Sequence, residues 1–155
     1  MKKTLNYTQF NIKKHLINIG LLVAIGLMIG CKEPPTPLSE QIAKVWSAQS
    51  VREGSTVVYT KGAANNPKPA YDRFRLDLSS PTTVRLTEFD GTAFSGTWEL
   101  INDKTLILKG LTPQPTGTNG TLEYTVQAAS TTELKLSRNT SSSKTGGTVN
   151  DYTLN

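Results

Sequence analysis

From Phe74 to Leu136 the chain alternates apolar and polar side chains in short runs. Phe74, Leu76 and Leu78 alternate with Arg73, Arg75 and Asp77, and Val84 and Leu86 with Thr83, Arg85 and Thr87. Phe94, Gly96, Trp98 and Leu100 alternate with Ser95, Thr97 and Glu99. Leu106 and Leu108 follow, then Leu122, Tyr124 and Val126, then Leu134 and Leu136. Successive side chains of a strand point to opposite faces, so a period of two predicts half-buried strands separated by turns. Segments 45–53, 56–60 and 148–154 read as further strands with a less sharply defined inner face. The fold class expected is all-β, with eight or nine strands and almost no helix.

The turns can be tested against the faces. A two-residue loop at Asp90-Gly91 would pair Phe89 with Thr92 and put Val84 and Leu86 on the opposite side from Trp98. A three-residue loop, Phe89-Asp90-Gly91, pairs Glu88 with Thr92 and Leu86 with Phe94. Val84, Leu86, Phe94, Trp98 and Leu100 then share one face. Burying five such side chains at about 1.5–3 kcal/mol each outweighs any preference between turn types. The spacing therefore predicts the longer loop, with Gly91 left-handed. The same reasoning predicts a loop at Asn102-Asp103-Lys104 pairing Leu100 with Leu106. It also predicts a loop centred on Ser130 pairing Val126 with Leu134. Consecutive hairpins make an antiparallel meander, and closing it into a barrel removes its edges. Alternation alone equally allows a two-sheet sandwich.

Ahead of the strands, Thr36-Pro37 followed by Glu40 is a helix-start pattern, with Thr36 as cap and Pro37 at the first helical position. Leu38, Ile42 and Val45 share a face, which predicts a helix of about two turns that has to pack on the sheet to persist. Residues 61–70, 112–120 and 139–147 are rich in Gly, Pro, Ser or Asn and read as loops, long for hairpin connections.

The first thirty residues have a different character. Residues 1–15 are basic and carry no acid, and residues 16–30 are apolar but for one Asn. Fifteen helical residues reach about 22 Å, short of the roughly 30 Å hydrocarbon core of a bilayer. A basic start and a short apolar run ending in a small residue make a removable leader. Leu27-Met28-Ile29-Gly30-Cys31 resembles the bacterial lipobox, in which a signal peptidase cuts before a cysteine that becomes acylated. The resemblance implies that 1–30 is a lipoprotein signal peptide and Cys31 the lipid attachment point. Residues 31–37 are then a Pro-rich tether of about 3 Å per residue, and 38–155 the folded domain. Lys32 in place of Asp after the cysteine implies the outer membrane, on its periplasmic or surface face.

The leader changes the meaning of the charge. Seventeen Lys and Arg against twelve Asp and Glu give +5. Lys2, Lys3, Lys13 and Lys14 lie in the leader, leaving thirteen against twelve, a net of +1, which no longer argues for nucleic acid. His15, the only histidine, is also in the leader, and Cys31 is the only cysteine. The domain thus has no imidazole and no free thiol. That excludes Ser-His and Cys-His catalysis, His/Cys metal sites and disulfides. No cofactor is expected.

Ala43-Lys44-Val45-Trp46 opening the first strand after a short helix resembles the start of small bacterial lipocalin-like lipoproteins. Gly96-Thr97-Trp98-Glu99-Leu100 with Asn102-Asp103-Lys104-Thr105-Leu106-Ile107-Leu108 is similar to a mid-barrel hairpin of the same group. The resemblance covers most of 38–155. It implies a calycin-type barrel, Trp46 as a structural plug at its bottom, and a small hydrophobic ligand lined by Phe74, Leu86, Phe94, Trp98 and Tyr124. The plainer reading makes these residues core, since a small eight-stranded barrel is just wide enough for its own side chains. Gly96, facing the bulky set, either opens a void or lets its neighbours fit.

Glu88 is the one acid the register aims inward, and no second inward acid faces it, so catalysis by paired carboxylates is not expected. Arg73, Arg75 and Arg85 face outward as a solvated sheet face paired with Asp77 and Glu99, or as an anion patch. Asn139-Thr140-Ser141 matches a glycosylation sequon, a chance match in a bacterial lipoprotein. The expected function is a non-catalytic, monomeric, membrane-anchored envelope protein that binds a small hydrophobic ligand. The alternative is an interaction module that binds a protein or glycan through its outer face or long loops.

Overall fold

The computed structural model describes residues 34–155, and the compact unit that carries the fold runs Thr36–Asn155. Cys31 and the leader lie outside the described residues. Helix α1 is Leu38–Gln41. The strands are β1 (Val45–Glu53), β2 (Thr56–Thr60), β3 (Arg75–Asp77), β4 (Thr83–Thr87), β5 (Ala93–Ile101), β6 (Thr105–Thr112), β7 (Leu122–Ala129), β8 (Leu134–Arg138) and β9 (Asn150–Leu154). Short 3-10 turns at Pro69–Arg73 and Ser143–Thr145 interrupt two of the long loops.

Every strand pair is antiparallel, and β3 to β9 follow one another round the sheet. β9 then pairs with β1, Val51 opposite Tyr152 and Arg52 opposite Asp151, which closes the ring. The ring has eight strands, β1 and β3–β9, and is a barrel rather than a sandwich. β2 is an addition to it. The first half of β1 pairs with β3, Trp46 opposite Leu76, and its second half with β2, Val51 opposite Tyr59. The outer edge of β2 is covered by its own loop: Lys68 N–H donates to the Val58 carbonyl, and Asn66 bonds both backbone groups of Thr60. An open edge strand invites pairing with another chain, and this loop occupies the place.

Two of the three hairpin registers follow the alternation. Leu86 lies opposite Phe94, Glu88 N–H donates to the Thr92 carbonyl, and Gly91 has φ +86°. Leu100 lies opposite Leu106, with Asn102 and Asp103 at φ +51° and +54°. The third differs. Val126 lies opposite Leu136, and Leu134 opposite Ala129. A bulge between Val126 and Ala128 absorbs one residue, and the Ser130 hydroxyl accepts from the amides of Thr132 and Glu133 to close a shorter turn. The extra residue lets both Val126 and Leu134 face inward without the wide loop the spacing called for.

The helix is also shorter than its sequence pattern. It is a single turn with Pro37, not Thr36, at its cap, and the Pro37 carbonyl accepts from Glu40 and Gln41. Val45 has already joined β1 and is exposed. Ile42, just past the turn, is fully buried, and its carbonyl accepts from Trp46 Nε1 at 2.8 Å. Gly96 opens no void: the register slips between Ser95 and Thr97, the Lys109 carbonyl approaches where a Cβ would sit, and the buried Leu111 fills the space.

Candidate functional site: the polar end of the barrel

Antiparallel order round the ring makes β1, β4, β6 and β8 run one way and β3, β5, β7 and β9 the other. The barrel therefore has two chemically distinct ends. At the end where β1 begins, Trp46 is fully buried, and Trp98 Nε1 donates to the Ser80 carbonyl at 2.8 Å in the β3–β4 turn. Leu78, Leu134 and Leu154 complete an apolar floor, each fully buried. At the other end β1 finishes at Glu53, β4 leads into Glu88, β8 finishes at Arg138, and β9 starts at Asn150. Polar groups thus collect at one end because four strand termini carry them there.

Each of these groups except Arg138 has a partner among the described residues. Glu53 accepts from Lys68 Nζ at 2.9 and 2.6 Å and from the Tyr71 hydroxyl at 2.7 Å. Tyr71 sits on the 3-10 turn that crosses this end, its ring 4.8 Å from that of Phe89. Glu88, only 9 % exposed, is ion-paired with Lys144 at 2.6 Å, and the same lysine reaches Asp90 at 2.7 Å. Lys144 belongs to the loop after β8, so that loop is strapped across to the β4–β5 turn. The Asn150 side-chain oxygen Oδ1 accepts from the hydroxyls of Thr145 and Thr148 at 3.1 and 2.8 Å, fixing the strap to β9.

Beneath the acids lies an aromatic layer. Phe74 stacks on Tyr152 with ring centroids 4.9 Å apart, and Tyr124 meets Tyr152 edge-on at 6.1 Å. Burial pushes the Tyr152 phenol up to about 12, against the pull of Asn150 and Arg138, and it pushes Tyr71 and Tyr124 up as well. These hydroxyls remain protonated donors throughout the neutral range. Partial burial of Asp90 raises its carboxyl, but hydrogen bonds from Lys144 and Thr92 outweigh that and hold it at about 2. Lys144 is held above the usual lysine range: its partial burial acts the other way, but Asp90 and Glu88 outweigh it.

All five residues expected to line a ligand are buried: Phe74, Leu86, Phe94, Trp98 and Tyr124. The structure divides them. Phe74 and Tyr124 both contact Tyr152, and Phe94 pairs with Leu86 and lies 5.3 Å from Lys144 Nζ, so these four sit toward the polar end. Trp98 belongs to the floor. Arg73, Arg75 and Arg85 are exposed. Arg75 donates to the carbonyls of Asp72 and Phe74, and Arg85 lies opposite Asp77. Glu99 pairs with Lys109 rather than with these arginines. Asp77 is held below the usual carboxylate range by hydrogen bonds from Ser79, with help from Arg85.

Four groups at this end escaped the sequence reading: Arg138, Tyr152, Asn150 and Glu53. Glu53 is the second acid that the alternation did not show, its side chain 8 % exposed. The signal for Arg138 was present. It continues Leu134 and Leu136 at a spacing of two, and the burial of β8 follows that phase to its end. Open concavities of about 290 Å³ and 430 Å³ lie on the exterior, the first along Asp77, Ser80, Arg85 and Gly96, the second over the loop Ala63–Pro69. Comparison with protein-family models, with curated proteins and with solved structures finds no match to this chain.

Proposed function

We propose that the chain is a non-catalytic, lipid-anchored protein of the bacterial cell envelope, built on a lipocalin-like barrel that binds a small hydrophobic ligand. The observation that carries the binding reading is the aromatic layer of Phe74, Tyr124 and Tyr152 beneath a buried polar rim. A few placed polar groups over an apolar lining are the usual composition of a small-molecule site. The anchor rests on the basic, apolar leader and on Cys31 at the end of a lipobox-like sequence. Two or three acyl chains there would hold the domain on the outer membrane nearly permanently, at about 0.8 kcal/mol per buried CH₂.

A non-catalytic role is supported by the state of the acids. Glu53 and Glu88 are each ion-paired with a lysine. Each carboxylate is thereby engaged by the barrel's own side chains, the environment of a structural acid. The second reading, an envelope interaction module, draws on Leu111 filling the notch at Gly96, which gives the interior one more side chain and one less space.

Native mass spectrometry of the full chain isolated from its own envelope tests the binding reading. A co-purifying small molecule supports it. A bare protein, with no change in tryptophan or tyrosine fluorescence on adding apolar ligands, favours the interaction module. For the anchor, Cys31→Ser is expected to leave the membrane fraction, and a variant that stays there overturns the lipid attachment.

A further inference from the structure

On the outer wall of the barrel, near the end where β1 begins, a cleft of about 290 Å³ runs from the β3–β4 turn to β5. That volume is at the low end of the range of small-molecule clefts. Asp77, Ser80, Thr83, Arg85 and Ser95 line it. Asp77 on β3 lies opposite Arg85 on β4, and Arg85 lies opposite Ser95 on β5. The alternation that buries Leu76, Leu86 and Phe94 turns these three outward. No ion pair joins Asp77 to Arg85, or either of them to another side chain, among the described residues. The charges beside them are engaged, Glu99 with Lys109 and Arg75 with the carbonyls of Asp72 and Phe74. Asp77 and Arg85 thus stand as an anion and a cation on one cleft, each still able to take a partner.

Their surroundings narrow the partner. Asp77 Oδ1 accepts from the Ser79 amide at 3.0 Å and from its hydroxyl at 2.6 Å. These bonds orient the carboxylate and hold it ionised, and they leave Oδ2 as an acceptor. A primary ammonium, a compact cation with three donors, suits that oxygen. Arg85 offers a planar fork of N–H donors that matches carboxylate or phosphate. The hydroxyls of Ser80, Thr83 and Ser95 stand around it, and Ser80 Oγ, which accepts from the Thr83 amide at 3.3 Å, keeps its own proton to give. The fork takes both oxygens of a carboxylate, whereas a phosphate keeps a further oxygen for the hydroxyls. The donor set therefore favours phosphate. An exposed pair gains little by closing on itself, so little opposes a ligand that comes between its members.

We propose that this outer cleft binds a small zwitterion, a primary ammonium joined to a phosphate by a short linker. The ammonium lies on Asp77, and the phosphate on Arg85 and the hydroxyls of Thr83 and Ser95. Free phosphoethanolamine and the headgroup of an ethanolamine phospholipid share this chemistry. The site is outside the ring, so it stands whatever the interior holds.

The test is calorimetric titration of the full chain with phosphoethanolamine, glycerophosphoethanolamine, ethanolamine and inorganic phosphate, its solubilising medium titrated as the blank. Low ionic strength is used, because salt screens exposed charges. The tighter zwitterion is expected to bind about tenfold or more better than ethanolamine or phosphate alone, since only the joined molecule meets both charges. Tighter binding of phosphoethanolamine assigns the free monoester. Tighter binding of glycerophosphoethanolamine, a deacylated headgroup, assigns the lipid. Asp77→Asn, whose amide oxygen still accepts from Ser79, is expected to bring the zwitterion down to the affinity of phosphate. Arg85→Gln is expected to bring it down to that of ethanolamine. Zwitterions that bind no better than phosphate, or a variant that binds them as the wild-type chain does, would overturn the site. Phosphocholine has no N–H to donate, and its binding as tightly as phosphoethanolamine would overturn the place of the ammonium on Asp77. Should either variant fail to fold, the wild-type titrations decide.

Discussion

At Gly96 the constraint is space. A Cβ there would overlap the Lys109 carbonyl oxygen and press on Leu111, both fixed by the slip in register between β5 and β6. Backbone atoms cannot swing aside as a flexible side chain can. Gly96→Ala is therefore expected to destabilise the barrel by about 1–3 kcal/mol, read as a lower midpoint in urea with an unchanged slope. Leu86 presents the opposite case, a large side chain with no spare room, 1 % exposed and opposite Phe94. Leu86→Ala leaves a cavity and is expected to cost about 2–5 kcal/mol by the same measurement. Residues of this kind were legible because a leucine in phase with its neighbours has one face to choose. Arg138 was not, because an arginine at a strand end is ordinarily solvated and only the closed ring decides otherwise.

Among the elements, the strap after β8 depends most on charge. A bridge between Ser142 and Thr148 shapes it, the 3-10 turn Ser143–Thr145 presents Lys144, and that lysine grips Glu88 and Asp90. Asp90 titrates at about 2 in the fold against 3.8 ordinarily. A folded value below the unfolded one means the contribution is complete above pH 3.8 and is lost as pH falls toward 2. Solvent reaches Asp90, so the contribution is small. Hydrogen exchange at the amides of 142–148, corrected for intrinsic rates, is expected to be steady between pH 7 and 5 and to rise below about pH 4. Lys144→Met is expected to produce the same rise at pH 7 while the β5 and β6 amides stay protected, and uniform loosening of the whole barrel would contradict the strap. The β4–β5 hairpin was readable because burial chose its register. The β7–β8 hairpin was not, because a side-chain hydroxyl at Ser130 and a bulge share the work of the turn, and neither leaves a mark in the alternation. The one-turn helix was over-read for a related reason: Val45 suited both a helix face and a strand start, and pairing with Asp77 prevailed.

For the molecule as a whole, alternation established the strands and their inward faces but left open whether the sheet closes. Closure depends on β1, which serves three partners, β2 and β3 along one side and β9 along the other. Deleting 150–154 is expected to abolish cooperative unfolding altogether, since it opens the ring and bares both Val51 and Leu136, which flank Tyr152. A barrel that keeps a cooperative transition without β9 would show the seam to be dispensable. The two sides of that seam are separated by nearly the whole domain, and contacts so distant in the chain form late. On that side β1 waits for a mate that follows every other strand of the ring in the chain. Its arrival turns a curled ribbon with a free margin on each side into a ring with none.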